Sequence, residues 1–350
     1  MKSIVDCKGV FENTSFLFYS IIVVIFRKFI YYKDILKIRR IIMEELYLKN
    51  VIGNEKIASK PTAEMIGPLL HIQLPLGKRM TSSWKPPSGY ILEKSIIENV
   101  PIERIIPDGG GNGKVILILH GGGYVWPLMD SSREAAIMYS EFTDGSEVIN
   151  VDYRTAPTDV YPAALEDCVV AYKWILQQGY KGEDILLIGE SAGGGLVLAL
   201  SLYLKEHKLP LPKAVVAISP WGDVDDKSPS RRINLDKDLL LGSKGCSIAN
   251  QVQKHDYAGN WDLKTPYLSP VYGDYTGFPD LLIQVGTFEV LYDDSVRIYE
   301  KAKEAGVNVK LSSYYGMSHC FQELFTKLPE GQIAWQEIRT FMRRSFGLSE

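Results

Sequence analysis

From Lys114 onward the chain alternates short β-branched runs with segments of helical periodicity, and this rhythm limits the fold more than any other feature. The runs are Lys114–Leu119, Glu147–Val151, Ile185–Ile188, Ala214–Ile218, Leu281–Val285 and Asn308–Ser312. Between or after them lie Ser132–Phe142, Ala163–Gln177, Ala192–Glu206, Leu291–Ala305 and Ile333–Phe346, each readable as a helix. Strands apolar on both faces, separated by amphipathic helices, predict an α/β fold whose mostly parallel central sheet is covered on both sides. Residues 221–278 break the rhythm. They are polar and aromatic and lie between two predicted core strands, as an insertion over the sheet would. The expected organisation is a cap region over residues 1–85, a catalytic domain over 86–350, and a cap insertion at 221–278.

At 350 residues, 46% of them hydrophobic, the chain can bury a large core. A net charge of −3 gives no basic excess that would suit nucleic acid. The four cysteines, Cys7, Cys168, Cys246 and Cys320, are spaced neither as a disulfide framework nor as a metal knuckle. Reduced thiols in a cytoplasmic compartment are the expectation. One segment invites a membrane, the apolar run Phe16–Phe26. As a helix it reaches only about 17 Å against a hydrocarbon core of about 30 Å. Extending it would bury Arg27 and Lys28 in the bilayer. A lid helix is the preferred reading, ahead of an interfacial helix making peripheral membrane contact; a short signal anchor comes last.

Three segments carry chemistry. Gly189-Glu190-Ser191-Ala192-Gly193 follows an apolar run and opens an Ala/Leu-rich segment. A GxSxG string arises by chance about 0.2 times in such a chain, so its strand–turn–helix setting has to confirm it. In that setting the serine occupies a tight bend with its hydroxyl exposed, as a nucleophile needs. His120-Gly121-Gly122-Gly123 ends the run Lys114–Leu119. Consecutive glycines free the backbone to aim N–H groups at a developing oxyanion, and His120 is read as shaping that loop.

The third segment pairs Glu289 with His319. A serine hydroxyl needs an imidazole beside it, and the imidazole needs a carboxylate to orient it. Of the five histidines, His71 lies in the irregular N-terminal part, His255 in the insertion and His120 in the glycine turn. His207 follows Ser191 by sixteen residues, about 24 Å along one helix, out of reach. That leaves His319, in a loop after the last predicted strand. Glu289, just past a strand end, is preferred over Asp293 as its partner.

The order Ser…Glu…His is the one found in α/β-hydrolases. With it, HGGGY (His120–Tyr124), DYRTAP…YPAALED (Asp152–Asp167), GESAGG (Gly189–Gly194), VGTFEVLYDD (Val285–Asp294) and GMSHCFQ (Gly316–Gln322) resemble the motifs of the hormone-sensitive-lipase-like carboxylesterases. These blocks span about two-thirds of the chain. The resemblance implies an α/β-hydrolase fold of about eight strands with a helical cap over the serine. It also implies an oxyanion hole formed by backbone N–H groups of Gly121, Gly122 and Gly123, foremost the last two, with that of Ala192. Three positions depart from the family: Thr155 and Thr158 replace the usual Leu and Glu, and Glu289 stands where Asp is commoner.

The activity implied is hydrolysis of short- to medium-chain acyl esters, through a Ser191–His319–Glu289 triad and an acyl-enzyme. The small-molecule ester is the only partner required, with no metal and no organic cofactor. Lactone or N-acetyl amide hydrolysis is the near alternative. A non-catalytic ligand receptor is the distant one, since receptors of this family have lost the histidine that His319 supplies here. A homodimer is a further expectation of the family. Tyr124, Trp126 and Trp221 are candidates for a substrate pocket, each equally readable as core packing.

Overall fold

The computed structural model describes residues 82–242, 254–324 and 328–349. The apolar run Phe16–Phe26, and nearly all of the expected N-terminal cap, lie outside the described residues. Eight strands form one sheet: β1 (Tyr90–Ile97), β2 (Val100–Pro107), β3 (Val115–Leu119), β4 (Glu147–Val151), β5 (Ile185–Glu190), β6 (Ala214–Ile218), β7 (Asp280–Gly286) and β8 (Val309–Tyr314). Their order is β1-β2-β4-β3-β5-β6-β7-β8. From β4 to β8 all neighbours run parallel, whereas β2 is antiparallel to both β1 and β4.

Among the described residues five longer helices cover the sheet: α1 (Asp130–Phe142), α2 (Ala163–Gln177), α3 (Ala192–Glu206), α4 (Tyr292–Glu304) and α5 (Pro329–Phe346). Alternation along the strands divides the core in two. Leu117, Ile149, Leu187, Val215 and Ile283 face one way, into a cluster with α2, α3 and α4. Ile116, Val148, Leu186, Val216 and Leu282 face the other, against α1 and α5. Side chains of period two thus meet helices on both faces, which is why these strands read as unbroken apolar runs.

The β1–β2 hairpin is the element that the rhythm of the sequence does not announce. Its two-residue turn is Glu98-Asn99, both with positive φ (48° and 71°), so the usual glycine signal is missing. Burial alternates only partly along β1, the edge strand, and Ile96 is left exposed.

Residues 221–242 and 254–278 are stitched into the main core. Val224, Tyr257, Leu268, Val271, Tyr275 and Phe278 are all buried in the cluster that holds α3. Among the described residues no helix is long and apolar enough to cross a membrane.

Candidate active site

The strand order decides what meets. Chain growth reverses at β3, with β4 on one side and β5 on the other, so a crevice opens at the carboxyl ends of β3 and β5. Leu119 at the end of β3 is in register with Gly189 in β5, so the glycine loop and the serine turn emerge side by side. On the far side of β5 come β6, β7 and β8 in turn, and Glu289 and His319 follow the ends of the last two.

Ser191 caps α3 with φ 56° and ψ −118°, a backbone conformation that costs a non-glycine residue of order 1–3 kcal/mol. Its neighbours show why the turn is rich in glycine. A Cβ on Gly189 would lie 2.3 Å from the Gly193 carbonyl oxygen, and one on Gly193 only 1.9 Å from that of Leu119. The bend is held by the Ser191 N–H donating to Ile218 O at 2.9 Å and the Trp221 N–H donating to Ser191 O at 2.8 Å.

Ser191 Oγ lies 2.9 Å from His319 Nε2, and His319 Nδ1 lies 3.0 Å from Glu289 Oε2. Glu289 is wholly buried, and its other oxygen accepts the Ser219 hydroxyl at 2.7 Å and the Gly286 N–H at 2.6 Å. Burial pushes the Glu289 carboxyl up, and these two donors work against that rise. His319, 1% exposed, is pushed down to about 4 by burial; Arg231 adds to the fall and Asp238 opposes it. A neutral imidazole at pH 7 is the form able to take a proton from a hydroxyl. Asp293 and Asp294 are turned elsewhere. Asp293 accepts the Ser230 N–H at 2.7 Å, and Asp294 accepts those of Gly222 and Asp223 at 3.1 Å.

In the glycine loop, Gly122 (φ 108°) and Gly123 (φ 61°) adopt left-handed backbone, and a Cβ on Gly122 would sit 2.7 Å from Trp126 Cβ. Among the described residues no acceptor takes the N–H of Gly122, Gly123 or Ala192. Gly121 corrects the expectation. Its N–H donates to Glu190 Oε1 at 2.6 Å, so it is not free to meet an oxyanion. His120 shapes the loop as expected: its ring stacks on Tyr153 at 4.0 Å, and its carbonyl accepts the Tyr153 hydroxyl.

The three aromatic candidates are all buried. Tyr124 stacks on Tyr257 with ring centroids 3.7 Å apart and tilts against Trp221 at 5.8 Å. The Trp221 indole donates to Asp223 O at 3.2 Å, and Trp126 packs on Gly122. Sequence reasoning missed Glu190 as an anchor of the glycine loop, although it occupies a variable position of GxSxG. It also missed Ser219, which directly follows β6, and Asp238, which no motif flags. Among the described residues no group of three or more His, Cys, Asp or Glu is placed to hold a metal ion.

Comparison with known proteins identifies the fold family. A family described by the alpha/beta hydrolase fold matches residues 116–323. The chain is similar to an acetyl-hydrolase of Streptomyces hygroscopicus, 35% identical over 236 residues that cover 67% of this chain and 77% of that protein. An esterase of Acinetobacter venetianus is 35% identical over 228 residues, covering 65% and 74%. Among solved structures, an esterase from the bacterial hormone-sensitive lipase family is 32% identical, with a TM-score of 0.68 over 91% of this chain and 100% of that one.

Proposed function

Because the chain belongs to the alpha/beta hydrolase fold family, as a hormone-sensitive-lipase-like carboxylesterase, we propose that Ser191, His319 and Glu289 hydrolyse short- to medium-chain acyl esters through an acyl-enzyme. The carrying observation is the unbroken series of contacts from Ser191 Oγ through the His319 ring to Glu289, at 2.9 and 3.0 Å.

In the proposed reaction His319 Nε2 takes the hydroxyl proton as Ser191 Oγ attacks the ester carbonyl. The carbonyl oxygen becomes an oxyanion, received by the N–H groups of Gly122, Gly123 and Ala192. Glu289 stabilises the imidazolium, which then gives its proton to the departing alkoxide as the C–O bond breaks. Water, activated by the same imidazole, attacks the acyl-enzyme and releases the acid. The strained backbone at Ser191 supports the assignment of nucleophile, since such strain is maintained where function uses it. A short acyl group is supported by the acetyl-hydrolase among the relatives.

Hydrolysis of p-nitrophenyl butyrate by the wild-type protein and by Ser191→Ala tests the reading. Turnover lost in the variant by about 10⁴-fold or more is expected. A Ser191→Ala protein with wild-type turnover would overturn the proposal. Comparing acetate, butyrate and octanoate esters tests the chain length, and a preference for octanoate would remove the short-acyl assignment.

A further inference from the structure

Asp238 lies in the loop after β6, 5% exposed, and touches both sides of the Glu289–His319 pair through the backbone. Its Oδ2 accepts the N–H of Val290, the residue after Glu289, at 2.9 Å. Its Oδ1 accepts the N–H of His319 itself at 3.4 Å, and those of Leu240 and Leu241 at 3.0 and 3.1 Å. Four N–H donors therefore converge on one carboxyl group; burial pushes that group up and Glu289 adds to the rise, while His319 and the N–H donors work against it. The same loop is fastened a second time by Asn234, whose amide donates to Thr287 O at 3.0 Å and Glu289 O at 2.8 Å.

We propose that Asp238 is a positioning residue: its carboxylate clips the Glu289 loop to the His319 loop and supplies a second buried negative charge toward the imidazolium that forms during turnover. The inference rests on the assignment of Ser191, His319 and Glu289 made above. A buried carboxylate is expensive to desolvate, and backbone N–H groups could be met by a neutral acceptor. What the charge adds is a bias toward protonated His319, which proton transfer from Ser191 requires.

The groups facing His319 are few. Among the described residues these are the carboxyls of Glu289 and Asp238, both pushed up by burial, the guanidinium of Arg231 and the hydroxyl of Ser191. Asp238 in turn faces His319 and Glu289. Arg231 is held by Asp226 and Asp294. Replacing the Asp238 carboxyl thus removes an interaction that raises the affinity of His319 for a proton, so that affinity falls.

The test is Asp238→Asn, assayed with p-nitrophenyl butyrate, with kcat expressed per serine titrated by a p-nitrophenyl phosphonate so that only folded sites count. The expected result is a fall in kcat of about 10- to 100-fold with KM within about twofold. The acid limb of kcat/KM should move down by about one pH unit. A merely structural role would change the number of titratable sites and leave the limb in place. Wild-type kcat and an unshifted limb would overturn the proposal. Should Asp238→Asn yield no titratable protein, Asp238→Glu carries the test. It keeps the charge but misplaces the clip, so the limb should stay while kcat falls about fivefold or more; unchanged kcat would overturn the proposal. Ser191→Ala in the same assay separates the two readings. If it stays active, the site assignment fails; if it is inert while Asp238→Asn behaves as wild type, only the role of Asp238 fails.

Discussion

The carboxyl group of Glu190 accepts the N–H of Gly121 at 2.6 Å, so the residue next to the serine fastens the glycine loop on the neighbouring strand. The contact joins β5 to the loop after β3 and sets the spacing between Ser191 and the N–H groups of Gly122 and Gly123. Burial pushes Glu190 well above the usual carboxylate range, and the carboxyl of Glu323 pushes it further.

Glu190→Ala should therefore loosen the oxyanion loop without touching the Ser191–His319 contact. A buried N–H left without its acceptor costs about 1–3 kcal/mol, so kcat should fall about 5- to 100-fold. Phosphonate titration should still find the serine reactive. Steady-state kinetics on p-nitrophenyl butyrate checks this, and unchanged kcat would remove Glu190 as an anchor.

At Gly122 both conformation and space exclude a side chain. Its φ is 108°, and a Cβ would meet Trp126 Cβ at 2.7 Å. Gly122→Ala should displace one oxyanion donor and cost about 100-fold or more in kcat, with little change in KM. A variant whose KM rises while kcat holds would show that the loop binds substrate rather than the transition state.

The pH dependence follows from His319, which burial pushes down to about 4 from an ordinary 6.5. Activity needs the neutral ring, so the fold preserves the active form to lower pH than a free imidazole would. The acid limb of kcat/KM should lie well below pH 6.5, with activity held from pH 7 through 6 and lost as pH approaches 4. The same shift makes stability fall as pH drops from about 6.5 toward 4, because the unfolded chain takes up a proton that the folded chain refuses. A pH–rate profile half-maximal at or above 6.5 would contradict this environment.

Stability should be most sensitive at Gly193. A Cβ there would lie 1.9 Å from Leu119 O and 2.6 Å from His120 O, both backbone atoms that cannot swing aside. Gly193→Ala should destabilise by about 3 kcal/mol or more, seen as a lowered thermal midpoint. At Gly110, where φ is 96° but nothing lies within 4 Å of a Cβ, the same change strains only the backbone and should cost less.

Much of this molecule was legible in the chain, and the legible parts share a cause. The turn from β5 through Ser191 into α3 is built within a dozen residues, so its glycines and its apolar run announce it directly. The parallel strands are buried on both faces and read as continuous apolar runs, whereas β1 and β2 turn on Glu98-Asn99, without the glycine that marks most such hairpins. His319 could be reached by elimination, because His207 lies too far along a helix from Ser191, His120 belongs to the glycine turn, and His71 and His255 fall in the N-terminal part and the insertion. Other roles were hidden. Nothing in HGGG distinguishes Gly121 from Gly122, since what separates them is the side chain of Glu190, 69 positions away. Asp238 bears on His319 from 81 positions away and belongs to no motif.

The sequence by itself determined the alternation of strands and helices, the serine turn and the glycine loop, and it pointed to the histidine and acid proposed here. These follow from backbone conformation and side-chain period, which neighbours in the chain control. Only the tertiary structure decided which N–H groups remain free and which buried carboxyls face the imidazole. Desolvation and hydrogen bonding act over a few ångströms in space, and the order of strands in the sheet sets those distances.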